Sequence, residues 1–290
     1  MRIAFLGDVV GTPGRMALTQ QLPVLREAHR AELVIANVEN TANGSGITPE
    51  QVRKLRDAGL DGMTLGDHAF RKQQIKATLS EAEDLIRPIN LPGRAWGRGW
   101  MRRPWPGGGG PDVVVVTVMG RLFMNSVQAD DPFAALDGFL DSLRSGPPAV
   151  VIAEIHGEAT SEKVAFGWHA NGRVAAVVGS HTHVPTADAR LLPSPGRDGS
   201  LPGPAGLGAG GTAYVTDLGM TGPQDSVLGR RADRVVHHMT TGLPAAFDVA
   251  EGGPVVQGVL IDVDASSRRA TAIERVALPA DVNAAPFVAR

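Results

Sequence analysis

One local pattern recurs through the chain: a short apolar run that closes on an acid or a histidine. Residues 3–6 are followed by Gly7 and Asp8, residues 33–38 by Glu39 and Asn40, and residues 61–65 by Gly66, Asp67 and His68. Residues 150–155 end at His156, and residues 174–178 are followed by Gly179, Ser180, His181, Thr182 and His183. Such runs, bounded by Gly and polar residues, read as buried strands. Between the first two lies helical spacing over 13–29, with Met16, Leu18, Leu22 and Leu25 available for burial. Thr48-Pro49-Glu50-Gln51 is a helix start, with a capping Thr, Pro in the first turn and Gln three residues after the cap. That helix is expected to reach about Ala58. The resulting β-α-β-α-β order favours a parallel sheet with right-handed crossovers. Parallel strands bring their carboxyl ends to one edge, where ligands bind in open α/β sheets. Asp8, Glu39, Asp67, His156, His181 and His183 are therefore expected to converge.

The remaining elements are read in the same way. Residues 113–118 form a β-branched strand, and 132–143 and 160–169 form helices. Strands over 212–217, 258–263 and 271–277 suggest a more antiparallel second half. Residues 91–111, rich in Gly, Pro, Trp and Arg, read as an irregular excursion in which Trp96, Trp100 and Trp105 suit a lid, a contact surface or a loose loop alike. Residues 193–211 read as a flexible Pro/Gly insertion within a hairpin. The tail after Pro279 is expected to be peripheral. All 290 residues are read as one domain.

Composition removes several classes of function. With no cysteine, thiol catalysis, disulfides and zinc–thiolate sites are excluded. With 28 basic and 30 acidic residues the chain has no basic excess, which disfavours sequence-independent binding to duplex nucleic acid. The opening apolar residues are too few for a signal peptide, and no apolar run has the length of a membrane span. A cytoplasmic protein is expected.

Three carboxylates and three imidazoles offer oxygen and nitrogen ligands to borderline transition metals such as Mn, Fe or Zn. They exceed the needs of one tetrahedral zinc and suit two ions bridged by a carboxylate and a water. Glu39, followed by the amide of Asn40, is the expected bridge. Taken singly, Asp8 reads as a turn residue and Glu39-Asn40 as a helix cap. Two histidines one residue apart after a buried strand seldom arise for packing. His29, His169, His237 and His238, placed on predicted helices, read as solvated or satisfied.

Gly7-Asp8, Asn37-Val38-Glu39-Asn40, Gly66-Asp67-His68, His156 and Gly179-Ser180-His181-Thr182-His183 together resemble the calcineurin-like metallophosphoesterases. His156-Gly157-Glu158-Ala159-Thr160-Ser161-Glu162-Lys163, His183-Val184-Pro185-Thr186-Ala187-Asp188 and Thr216-Asp217-Leu218-Gly219-Met220-Thr221-Gly222-Pro223 narrow the resemblance to their YmdB-like branch of bacterial phosphodiesterases. The resemblance implies a four-layer α/β/β/α sandwich with mixed sheets. It implies two divalent or trivalent ions, iron or manganese, and hydrolysis of phosphodiesters such as 2′,3′-cyclic nucleotides by a metal-bridging hydroxide. Carried over by motif, one ion takes Asp8, Glu39, Asn40 and His183, the other takes Glu39, Asp67, His156 and His181, and His68 is the general acid. A small cyclic nucleotide is the implied partner, with neither duplex nucleic acid nor membrane; a homo-oligomer is compatible with the sequence.

The chain departs from the family at Gly66-Asp67-His68, where Gly-Asn-His is usual, and at Ile155-His156-Gly157-Glu158, where Phe-His-Ala-Glu is usual. Both Gly/Pro-rich stretches are also long. Asp67 in place of Asn makes the site less positive by one charge, which should weaken its hold on phosphate and acidify its water less.

Two other readings compete. Gly7, Gly11 and Gly14 with Glu39 could form a nicotinamide-dinucleotide site of dehydrogenase type, although Asp8 would repel the pyrophosphate. A second glycine match at residues 206–211 precedes a strand and reads as chance. The other alternative is a metal-binding regulator whose catalysis Asp67 has weakened. Thr160, Ser161 and Lys163 fit either phosphate contact or capping of the helix that follows. No Gly-x-Ser-x-Gly elbow and no P-loop is present.

Overall fold

The computed structural model describes residues 1–125, 127–193 and 211–281. In chain order the elements are β1 (Arg2–Leu6), β2 (Asp8–Val9), α1 (Gly11–Glu27), β3 (Leu33–Asn37), α2 (Pro49–Asp57), β4 (Gly62–Thr64), α3 (Lys76–Glu81), β5 (Leu85–Ile86), β6 (Trp100–Arg103) and β7 (Asp112–Met119). There follow α4 (Pro132–Leu143), β8 (Ala149–His156), α5 (Thr160–Ala170), β9 (Ala176–Ser180), β10 (Arg190–Leu191), β11 (Ala213–Val215), β12 (Met220–Pro223), α6 (Ala232–Thr241), β13 (Pro254–Val263) and β14 (Ala270–Pro279).

Two mixed sheets result. The first has the order β2-β12-β13-β1-β3-β4-β5, with β14 on β13. Its β1, β3, β4 and β5 are parallel, as the β-α-β reading requires, while β13 is antiparallel to both β1 and β14. The second has the order β10-β11-β9-β8-β7-β6, with parallel inner strands and antiparallel edges.

Side-chain alternation along each strand accounts for the layering. Ile3, Phe5 and Ile35 point inward and pack against Val113, Val115, Val150 and Ile152 of the other sheet. Their neighbours Ala4, Leu6, Val34 and Ala36 point outward onto Leu18, Leu22 and Leu25 of α1 and Val52 and Leu55 of α2. On the far side, Val114, Val116 and Ala153 meet Leu136 and Phe139 of α4 and Phe166 of α5. Three apolar interfaces thus separate four layers, the α/β/β/α sandwich. A strand buried on both faces needs apolar residues at every position, which explains the unbroken runs.

The helix start at Thr48 is a complete capping box, with Thr48 accepting from the Gln51 N–H and Gln51 accepting from the Thr48 N–H. Residues 91–111 differ from expectation. They contain β6, the edge strand of the second sheet, paired with Val113–Val116 of β7. Only Met101 of β6 is buried, so the strand lacks the apolar run that marks the others. Trp100 packs on Phe139 and Trp96 edge-on against Phe70, so both serve the fold itself. The hairpin expected around 193–211 is present at its base, where β10 pairs antiparallel with β11; residues 194–210 and the tail from 282 lie outside the described residues.

Candidate metal centre

β1, β3, β4, β8 and β9 deliver their polar carboxyl-terminal residues to one place. Glu39, Asp67, His156 and His181 offer ligand atoms that all lie within 4.8 Å of one another. The His156 Nε2 is 3.1 Å from Asp67 Oδ1 and 3.2 Å from Glu39 Oε1. It is also 3.1 Å from His181 Nδ1, which in turn lies 3.3 Å from Asp67 Oδ1. Asp8, Asn40 and His183 stand beside this group. His183 Nε2 is 3.8 Å from Asp8 Oδ1 and 3.2 Å from Asn40 Nδ2. His68 bridges the two sets, with Nδ1 2.8 Å from Asn40 Oδ1 and Nε2 3.4 Å from Asp67 Oδ2.

Local backbone geometry makes this approach possible. A Cβ on Gly66 would collide with the His156 ring, so glycine is required where β4 hands over to Asp67. His181 and His183 both have positive φ, 94° and 63°, an uncommon conformation for non-glycine residues that turns both rings toward the site. Glu39 Oε2 accepts from the Gly66 and His68 N–H groups at 2.6 and 2.9 Å, which fixes one carboxylate oxygen and leaves Oε1 facing His156.

The electrostatics are those of a concentrated acidic site. Burial pushes the Asp8 carboxyl up to about 7, helped by Glu39 and Asp217, against the opposing pull of His156. Burial acts the same way on Glu39 and Asp67, but the neighbouring His156, joined at Asp67 by His181, holds both carboxyls below the ordinary range. Burial also works against charge on His156, and there Glu39, Asp67 and Asp8 outweigh it, so its pKa is raised well above the ordinary value. Burial lowers the pKa of His183.

These residues fit a bound cation on two observations. Asp8 Oδ1 is buried and has no hydrogen-bond partner, a costly state for a carboxylate oxygen. Two imidazole nitrogens and two carboxylates meet at one point, a donor set of hard and borderline character suited to Mn, Fe or Zn.

Other expectations change. Lys163 is buried and gives its protons to the Ser180 carbonyl and Asp217 Oδ2, both at 2.7 Å. It therefore serves neither phosphate nor the helix cap. The N-cap of α5 is Ala159, with no side-chain cap bond, so Thr160 and Ser161 do not cap it either. His29 lies beyond the end of α1 rather than on it. His169 pairs with Asp137, and His238 faces the Leu243 carbonyl. The dinucleotide reading fails at Glu39, which is 1% exposed with its oxygens taken by Gly66, His68 and His156. Sequence reading passed over Glu154 and gave Asn37, quoted within a motif, no role of its own. Each is a polar residue inside a buried apolar run, and that interruption was the available signal.

Comparison with known proteins agrees with this geometry. The model of the family described as "YmdB-like protein" matches residues 4–276. The chain belongs to that family. A 2′,3′-cyclic-nucleotide 2′-phosphodiesterase of Bacillus subtilis (strain 168) is 38% identical over 281 residues, covering 97% of this chain and 98% of that protein. Among solved structures, a hypothetical protein from Thermus thermophilus superposes with a TM-score of 0.83 at 38% identity, covering 96% of this chain and 99% of the other. A novel phosphatase from Mycoplasma pneumoniae gives the same TM-score at 29% identity, over 96% and 93% of the two chains. The matched span, residues 4–276, takes in the positions of the cluster. No helix among the described residues is long and apolar enough to cross a membrane.

Proposed function

We propose that the protein is a dinuclear metal-dependent phosphodiesterase acting on small phosphodiesters such as 2′,3′-cyclic nucleotides. The observation that carries the proposal is the meeting of Glu39, Asp67, His156 and His181 within 4.8 Å, beside a buried Asp8 oxygen that lacks any partner. Kinship with the Bacillus subtilis phosphodiesterase supports the substrate class. Glu39, Asp67, His156 and His181 would hold one ion. Asp8, Asn40 and His183 would hold the other, with Glu39 shared between them. Iron or manganese suits the oxygen and nitrogen donors. When bound, such ions activate a water as nucleophile and neutralise charge on the phosphoryl oxygens.

The chain's own groups prepare the rest. His183 Nδ1 donates to the Leu228 carbonyl at 3.0 Å, which leaves its Nε2 lone pair facing the site. His181 Nε2 lies 3.2 Å from Glu158 Oε2, which leaves Nδ1 as the inward nitrogen. Asn40 stands between His183 and His68. Asn40 Oδ1 accepts from His68 Nδ1–H at 2.8 Å, and in the imidazolium form of His68 the second proton is on Nε2, 3.4 Å from Asp67 Oδ2. From there His68 protonates the departing alkoxide. Water adds across one ester bond of the cyclic phosphate, giving a phosphomonoester and a free hydroxyl.

Metal analysis of the purified protein, paired with a panel of cyclic nucleotides and a chromogenic diester, tests the proposal. Two ions per chain and turnover of 2′,3′-cyclic nucleotides are expected. Bound metal without turnover would instead favour the regulator reading, for which the extra charge of Asp67 is the motivating observation. A protein that takes up no metal defeats both.

A further inference from the structure

Glu154 is completely buried in the apolar layer between the two sheets. It lies on the same face of β8 as Ile152 and His156, because side chains two apart on a strand share a face. A carboxylate in such a place is costly, and a well-packed apolar side chain is often the more stable choice. Its position therefore calls for an account beyond stability. Glu154 Oε1 accepts from Asn37 Nδ2 at 2.9 Å and from Ser180 Oγ at 2.6 Å, and Oε2 accepts from Thr117 Oγ1 at 2.9 Å. Asn37 belongs to the opposite sheet, and its Oδ1 accepts from the backbone N–H of Glu39 at 3.1 Å. Ser180 directly precedes His181, and its Oγ is also 2.9 Å from His156 Nδ1.

Proton counting gives this network a direction. Ser180 has one hydroxyl proton, and the short bond to Glu154 takes it. At the Ser180–His156 contact the imidazole must then be the donor, so the proton sits on Nδ1. The Asn37 Nδ2 contact to the same nitrogen, at 3.3 Å, is longer and does not compete. When a cation takes the place of the second ring proton, His156 Nε2, the nitrogen that faces Asp67 and Glu39, is the one that binds it.

We propose that Glu154 is a positioning residue of the metal centre. Through Ser180 it fixes the tautomer and orientation of His156, and through Asn37 it ties Glu39 of the first sheet to the histidines of the second. The inference rests on the reading of the cluster as a metal site. A buried acceptor of this kind behind a metal-binding histidine typically changes metal affinity by about 10–100-fold.

The test titrates metal-free full-length protein with Mn²⁺ by calorimetry and records the melting temperature of the same metal-free samples. Ser180→Ala and Glu154→Gln are expected to weaken Mn²⁺ binding by about 10–100-fold. Thr117→Ala, which removes a Glu154 bond that leads to no ligand, is expected to keep wild-type affinity even where it lowers the melting temperature. The inference is overturned if Ser180→Ala binds Mn²⁺ as tightly as wild type, or if Thr117→Ala loses as much affinity as Ser180→Ala. Wild-type protein that takes up no Mn²⁺ would remove the metal-centre reading and this inference together. Wild-type binding with an unaffected Ser180→Ala removes this inference alone.

Discussion

The two sides of the candidate metal centre solve the burial of charge differently. On one side Glu39, Asp67, His156 and His181 are paired with each other, and the imidazole of His156 offsets the carboxylates around it. On the other, Asp8 has an oxygen without a partner, and burial raises its pKa to about 7. The imidazole nitrogen of His183 is 3.8 Å from that oxygen and belongs to a ring whose own pKa is lowered. The first set is a ready-made donor cage whose charges partly compensate. The second depends on a cation for compensation. The first side should therefore bind its ion more tightly, and the second should bind more weakly and with more dependence on pH.

The largest effect expected from this contrast is a difference between two histidine variants. His156→Ala should lose both ions and lower turnover by about 10³-fold or more, since its ring touches both carboxylates of the cage. His183→Ala should keep one ion. Metal analysis of the two proteins decides, and equal metal content would abolish the contrast. Next comes His68, which touches Asn40 of one set and Asp67 of the other. His68→Ala should keep both ions and slow turnover by about 10²–10⁴-fold; a loss of metal in this variant would make His68 a structural link instead of the acid.

A third expectation concerns stability without metal. The Asp8 carboxyl titrates at about 7 in the folded chain against an ordinary 3.8. Between those values the folded state holds more protons than the unfolded state, so this group makes stability fall as pH rises through that window. Asp8→Asn should remove that slope and stabilise the metal-free protein above neutral pH by a few kcal/mol, since each pH unit that separates the two values is worth about 1.4 kcal/mol. The same variant should abolish tight binding of the second ion. Melting curves of metal-free protein at acidic and slightly alkaline pH measure this, and parallel pH profiles for variant and wild type would count against it. The smallest effect belongs to Asp67. Replacing it with Asn removes one negative charge from the site and should raise turnover by about tenfold or less. Unchanged kinetics and metal content in Asp67→Asn would show that the extra charge is inert.

Much of the site was legible because its signals are local. Glu39-Asn40 and His181-Thr182-His183 each follow an apolar strand directly, and strand ends of parallel sheets gather ligands. The edge strand β6 was hidden because an exposed edge, unlike a buried strand, carries no continuous apolar run. Lys163 was open to misreading because its partner, Asp217, is 54 residues away in the chain. Nothing in the sequence near Lys163 distinguishes a buried ion pair from a substrate contact.

The sequence by itself determined which residues close the strands, where the helices start and which chemistry the donors can support. These follow from nearest-neighbour patterns: alternation, capping and turn residues. Only the tertiary structure decided which strands pair within the two sheets, that His156 Nε2 stands 3.1 Å from Asp67 Oδ1 across 89 residues of chain, and that Glu154 joins the sheets behind the candidate metal ligands. Those relations arise from packing between faces, where the same apolar side chain satisfies many partners, so the pairing is set by the fit of the whole layer and not by any local run.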